Sequence, residues 1–154
     1  MSGWLRKKMS GGEPAGPPQM IKTFGASDHP LTVDGVSWDQ DAWRVEAGEA
    51  GTVALYEVHD PWVERCRLSY RATAKTADAD GVYLDMWCRL PGQGEFFSKG
   101  LNQVAKGTRD WSSFEIPFLL KKGQRPDLVK LNLAFTGGGT AWVRDIELLQ
   151  TPLR

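Results

Sequence analysis

From residue 19 onward, apolar positions recur at every second residue, and Gly, Pro or Asp interrupts the alternation every ten or so positions. That period is the mark of half-buried strands. Met20 to Phe24 reads as a short first strand, and Trp43 with Val45 opens another after the acidic loop Asp39-Gln40-Asp41. Gly51 to Val58 carries Val53 and Leu55 on one side, with Glu57 in the same phase. From Val63 to Lys75, Cys66, Leu68, Tyr70, Ala72 and Ala74 face one way and Arg65, Arg67, Ser69, Arg71, Thr73 and Lys75 the other. Val82, Leu84, Met86, Cys88 and Leu90 share a second core phase, opposite Tyr83, Asp85, Trp87 and Arg89. With Thr76 to Gly81 as a turn, these two stretches predict a hairpin. Phe114 to Phe118, Val129 to Phe135 and Thr140 to Leu149 continue the rule. About eight strands and no helix predict an all-β antiparallel β-sandwich of the jelly-roll kind.

Residues 1–18 are rich in Gly and Pro with little apolar to bury, which predicts a disordered lead-in, so a single domain is expected over 19–150. The 154 residues suffice for one core without staples. Lys plus Arg equals Asp plus Glu at 19 each, and this balance argues against nucleic acid and anionic membrane surfaces as partners. No apolar run approaches the ~18 residues that span a bilayer, which argues against membrane insertion. Met1 to Lys8 has charge but no apolar stretch behind it, so it does not read as a signal peptide.

Candidate chemistry is sparse. Metalloprotease, nucleophile-elbow and phosphate-loop signatures are absent, and His29 and His59 are the only histidines. Cys66 and Cys88 sit in core phase and read as buried free thiols, with no zinc spacing around them. Asp78-Ala79-Asp80-Gly81 opens like a calcium loop, but Arg89 stands where the twelfth-position glutamate is needed. Asp34, Asp39 and Asp41 read as solvated loop carboxylates rather than a calcium site, so no cofactor is expected. Of seven tryptophans, Trp38, Trp43 and Trp62 read as core or edge plugs, and Trp111 and Trp142 as seals at the sandwich ends.

The wet strand faces are more informative. They present Arg67, Arg71, Tyr83, Asp85, Trp87, Arg89, Glu115, Lys130 and Asn132. A flat aromatic beside guanidinium forks and carboxylates can grip a polar ring, stacking on its C–H face while the charged groups take its hydroxyls. Whether these residues share one face depends on which strands enter the same sheet.

The stretch Val82 to Leu101, the Gly107-Thr-Arg-Asp-Trp111 turn, Pro117 to Gly123 and the closing Gly139-Thr-Ala-Trp-Val-Arg-Asp-Ile-Glu-Leu148 strand resemble the galactose-binding-like jelly rolls, over roughly residues 50 to 149. That group includes many carbohydrate-binding modules, and the likeness extends to uncharacterised bacterial versions attached to larger, often membrane-associated proteins. Similar modules often carry two acidic residues in the last strand, where this chain has Arg144 and Asp145. The resemblance implies a non-catalytic recognition module in an extracytoplasmic setting. Carbohydrate is the expected ligand, with Tyr83 and Trp87 as stacking platforms and Arg67, Asp85, Arg89, Glu115 and Asn132 as hydroxyl partners. A protein-interaction or assembly domain is the second expectation. A glycoside-acting enzyme using Asp85 and Glu115 is the third.

Overall fold

In the computed structural model, which describes residues 13–154, the expected hairpin between Val63 and Leu90 is a single 25-residue strand, β5 (Cys66–Leu90). The Asp78-Ala79-Asp80-Gly81 stretch has turn composition, yet it bends the chain without reversing it. Asp78 takes a φ of 49°, and the pairing of β5 with its neighbour slips three times between Ala74 and Val82. The reason is non-local, because each half of β5 is occupied on both edges by other strands.

Those strands are β1 (Gln19–Phe24), β2 (Val36–Asp39), β3 (Ala42–Ala47), β4 (Gly51–His59), β6 (Gly94–Lys99), β7 (Ala105–Leu119), β8 (Leu128–Phe135) and β9 (Gly139–Pro152). The first half of β5 lies between β7 and β9, and β9 continues outward to β3 and β2 and to β1. The second half lies between β6 and β8, with β4 beyond β8. One antiparallel sheet thus curls over itself through β5 into two leaves, an all-β sandwich with no helix among the described residues. Leu68, Tyr70, Leu84, Met86, Leu131, Leu133, Ile146 and Leu148 fill the space between the leaves, each with at most 2% exposure.

Two glycine-rich turns make this possible. The true hairpin joins β5 to β6 through Pro91-Gly92-Gln93, closed by Gln93 N–H donating to Leu90 O at 2.9 Å. Gly92 and Gly94 there adopt φ of 78° and 113°, the region glycine enters without a Cβ penalty. The Gly137-Gly138-Gly139 turn packs on the bend of β5, where a Cβ on Gly139 would lie 2.5 Å from Ala79 Cα. Gly138 N–H donates to Asp80 Oδ2 at 3.0 Å, so a residue read as part of a β5 turn instead clasps the β8–β9 turn.

A bulge in β4 breaks the expected alternation there. Ala54 pairs with Asn132 and Tyr56 with Leu131, so Leu55 is extra, and both Leu55 and Tyr56 are buried while Glu57 is exposed. Tyr70 Oη–H, from the opposite leaf, donates to Asn132 O at this step at 3.1 Å. Cys66 and Cys88 are both buried and free, and burial pushes their thiols up to about 11 and about 12. At the chain start, Pro14 bridges to Leu153 and Ala15 N–H donates to Pro152 O, so residues from Glu13 run along the end of β9. The rest of the expected lead-in lies outside the described residues.

Trp43 is a core residue at 5% exposure, with Trp38 packed edge-on against it. The other expected seals and plugs are elsewhere. Trp111 and Trp142 lie on the outer face of the β7–β5–β9 leaf, and Trp62 stands 91% exposed in the loop between β4 and β5. The composition of these segments names aromatic residues, but only the sheet order decides what each ring meets.

Candidate functional site

Strand alternation aims Tyr83, Asp85, Trp87 and Arg89 away from the core phase of Leu84, Met86, Cys88 and Leu90. On the outer face of the β4–β8–β5–β6 leaf, each meets a defined row. Trp87 is flanked by Phe97 of β6 and Lys130 of β8, Asp85 by Lys99 and Asn132, and Arg89 by Glu95 and Leu128. The structure therefore brings Tyr83, Asp85, Trp87, Arg89 and Asn132 onto one face. It places Arg67 and Glu115 elsewhere, in the other leaf, where β5 pairs with β7 and β9. Glu115 is tied there to Arg71, Nε to Oε1 at 2.7 Å. Asp85 and Glu115 consequently stand on opposite leaves and cannot flank a single glycosidic bond as an acid–base pair must.

Asp85 is the anchor of the face. It is 1% exposed, and its Oδ2 accepts from Trp87 Nε1–H and from Asn132 Nδ2–H, both at 2.9 Å. Its Oδ1 is buried without a partner. A buried carboxylate oxygen shared by two donors is a costly arrangement to assemble, and it fixes the ring that it holds. The indole is gripped by its N–H edge and meets Phe97 at a centroid distance of 5.2 Å with planes inclined by 46°. Phe97 is 56% exposed, and Lys99 Nζ sits 4.8 Å from its centroid. The Tyr83 hydroxyl has no partner among the described residues.

Charged pairs rim the rings. Lys130 Nζ reaches Glu95 Oε1 at 3.1 Å, spanning β5, and Arg89 makes a two-pronged contact with Asp127 at 2.8 and 3.3 Å. The Arg89 guanidinium holds the Asp127 carboxyl below the usual carboxylate range, and the same bond raises Arg89. Both groups stay solvated, so these pairs organise the rim more than they stabilise the fold. Phe97, Lys99, Glu95 and Asp127 were not among the expected site residues. The signal for the first three was the Pro91-Gly92-Gln93-Gly94 turn, which folds residues 95–99 back beside 85–89.

The opposite outer face has aromatics of its own, but cations cover them. Lys75 Nζ stands 4.9 Å from the Trp142 centroid and 5.2 Å from that of Trp111, Arg144 Cζ lies 3.8 Å from Trp111, and Arg44 Cζ 5.8 Å from Trp142. Asp39 accepts from Trp142 Nε1–H at 2.9 Å, and Asp41 pairs with Arg144. Two of the three loop carboxylates considered for calcium, Asp39 and Asp41, are thus engaged with β9. Beside this row a groove of about 370 Å³ is lined by Arg71, Thr73, Gln103, Ser113, Glu115, Asp145 and Glu147. Asp145 stands there at φ 53°, in a bulge of β9 between the partners of Arg71 and Thr73.

No protein-family model and no curated protein matches the sequence. Solved structures do. The xylan-binding CBM22 domain from Paenibacillus barcinonensis superposes with a TM-score of 0.60 at 8% identity, over 93% of this chain and 97% of that one. A family 4 carbohydrate-binding module gives 0.56 at 11% identity, over 78% and 77%. A family 29 module solved with mannohexaose gives 0.55 at 10% identity, over 89% and 94%. At these identities the likeness is one of fold, and the chain has the jelly-roll β-sandwich architecture of carbohydrate-binding modules.

Proposed function

We propose that this chain is a non-catalytic module that binds carbohydrate on the outer face of its β4–β8–β5–β6 leaf, in an extracytoplasmic setting. The observation that carries the reading is the Trp87 indole, gripped at its N–H edge by Asp85 and set beside Phe97, with no cation of the described residues over its face. A ring fixed in advance loses little freedom on binding, which favours affinity from a small contact. Tyr83, Lys130, Glu95 and Arg89 surround it with hydroxyl-bonding groups of both polarities. Asp85 and Asn132 act as positioning residues, since both are buried beneath the face. Structural neighbours described as xylan-binding and as mannohexaose-bound support the same ligand class.

A glycan-array screen tests this, followed by titration of hits against tryptophan fluorescence. The expected result is a hit that perturbs fluorescence and is lost in Trp87→Ala while the fold survives. A blank array with folded protein defeats the reading.

The second reading is a protein-interaction domain. It is favoured by two exposed rings on the strand β6, Phe97 at 56% exposure beside Trp87 on the outer face and Phe96 at 43% on the opposite side. Concentration-dependent self-association that disappears in Phe96→Ser would support it over sugar binding.

A further inference from the structure

The loop between β4 and β5 holds its residues in conformations they rarely adopt. Asp60, Trp62 and Arg65 have φ of 48°, 58° and 50°. For a bulky side chain the left-handed region is uncommon and persists only where the surroundings impose it. The surroundings do so here. Asp60 N–H donates to Asp127 O at 3.0 Å, and Cys66 and Leu120 exchange backbone bonds at 3.1 and 2.8 Å. The Glu64 carboxylate accepts from Gly123 N–H and, at 2.9 Å, from Arg125 Nε.

What this tethered loop presents is the Trp62 indole, 91% exposed and with no ring contact or hydrogen bond among the described residues. Beside it lies an open hollow of about 360 Å³, lined by Asp60, Trp62, Val63, Glu64, Arg125 and Asp127. Its charged lining is three carboxylates and one guanidinium; Glu64 is paired with Arg125 and Asp127 with Arg89, while the Asp60 carboxylate has no partner among the described residues. An aromatic wall beside carboxylate oxygens that accept from hydroxyls suits an uncharged polyhydroxylated ring better than an anion. The hollow also connects to the Trp87 face. Asp127, in its lining, is bonded to Arg89, which stands two residues from Trp87 on β5, roughly 7 Å away at strand rise.

We infer that the Trp62 hollow is a second carbohydrate-binding position, and that one oligosaccharide chain occupies it together with the Trp87–Phe97 face, passing over the Arg89–Asp127 pair. The inference rests on the carbohydrate-binding reading of that face.

Calorimetric titration of the whole chain with cello-, manno- and xylo-oligosaccharides of two to six residues separates the two ideas. Wild type, Trp62→Ala, Trp62→Gly and Trp87→Ala are compared, with thermal midpoints confirming that each variant is folded. Wild-type affinity is expected to rise with chain length. Both Trp62 variants should bind disaccharides as wild type does and lose about tenfold on hexasaccharides. Trp87→Ala should lose binding at every length. Hexasaccharide affinity unchanged in the Trp62 variants, or wild-type affinity independent of length, overturns the second position and leaves the Trp87 face standing. Absence of wild-type binding to every probe overturns both.

Discussion

On the β7–β5–β9 leaf, Lys75 is held between Trp111 and Trp142 while Arg144 lies across Trp111, so both indoles spend their π faces within the protein. On the β4–β8–β5–β6 leaf, Trp87 is bound through its N–H edge by a carboxylate buried beneath it. Both leaves thus carry half-exposed tryptophans with charged neighbours, and composition cannot tell them apart. The difference lies in which part of the ring the protein uses. Cations that cover a face consume the surface a ligand would stack on, whereas a hydrogen bond at the edge orients the ring and leaves the face uncommitted.

The sharpest way to break this contrast is at Asp85. Asp85→Ala leaves Trp87 Nε1–H and Asn132 Nδ2–H without their acceptor, and should cost about 2–3 kcal/mol in denaturant unfolding. Asp85→Asn keeps an acceptor for both donors and removes the buried charge, so it should lie within about 1 kcal/mol of wild type. An equal loss in both variants would mean that the carboxylate itself, rather than its acceptor role, holds the face.

Ligand titration of paired tryptophan variants comes next. Trp87→Ala should weaken binding at least about tenfold, and Trp111→Ala should leave affinity unchanged. Equal losses in the two variants would erase the distinction between the leaves. Lys75→Gln, which removes the one cation shared by both indoles of the other leaf and leaves Arg144 on Trp111 and Arg44 on Trp142, is expected to cost about 0.5–1 kcal/mol of stability in thermal unfolding and nothing in binding.

Acid titration has the smallest effect and touches mainly the Trp62 end. Glu64, hydrogen-bonded by Gly123 N–H and Arg125, and Asp127, hydrogen-bonded by Arg89, both titrate below their ordinary values of 4.5 and 3.8. Their contribution is complete above those values and is withdrawn as pH falls through the depressed ones. The thermal midpoint should therefore drop below about pH 4, and less steeply in Glu64→Gln. An identical pH profile in that variant would show that the loop does not depend on the charge.

Much of the sandwich was legible because period two is a local property. The inward phase of Leu84, Met86 and Cys88 and the outward phase of Tyr83, Asp85 and Trp87 follow from alternation alone. The course of β5 was not, because Asp78-Ala79-Asp80-Gly81 has the composition of a turn and only the flanking strands make it a bend. That one misreading also merged two faces. Arg67 and Glu115 share an outward phase with Asp85, yet phase says nothing about which leaf a strand joins. Trp62 gave no periodic signal at all, since its placement depends on Leu120, Gly123, Arg125 and Asp127 closing the loop from afar.

The uninterrupted run of β5 also shapes how the chain must be made. Its 25 residues are synthesised by Leu90, but its flanks in β8 and β9 exist only once residues 128–152 have followed. Until then β6 and β7 can cover only one edge of a ribbon bearing Leu68, Tyr70, Leu84 and Met86, and its other edge waits open on the nascent chain, able to pair with another copy. The Lys and Arg residues along its outward side, Arg67, Arg71, Lys75 and Arg89, repel such a copy during that interval. The same charges that later line two separate surfaces thus serve first as guardians of an unfinished strand.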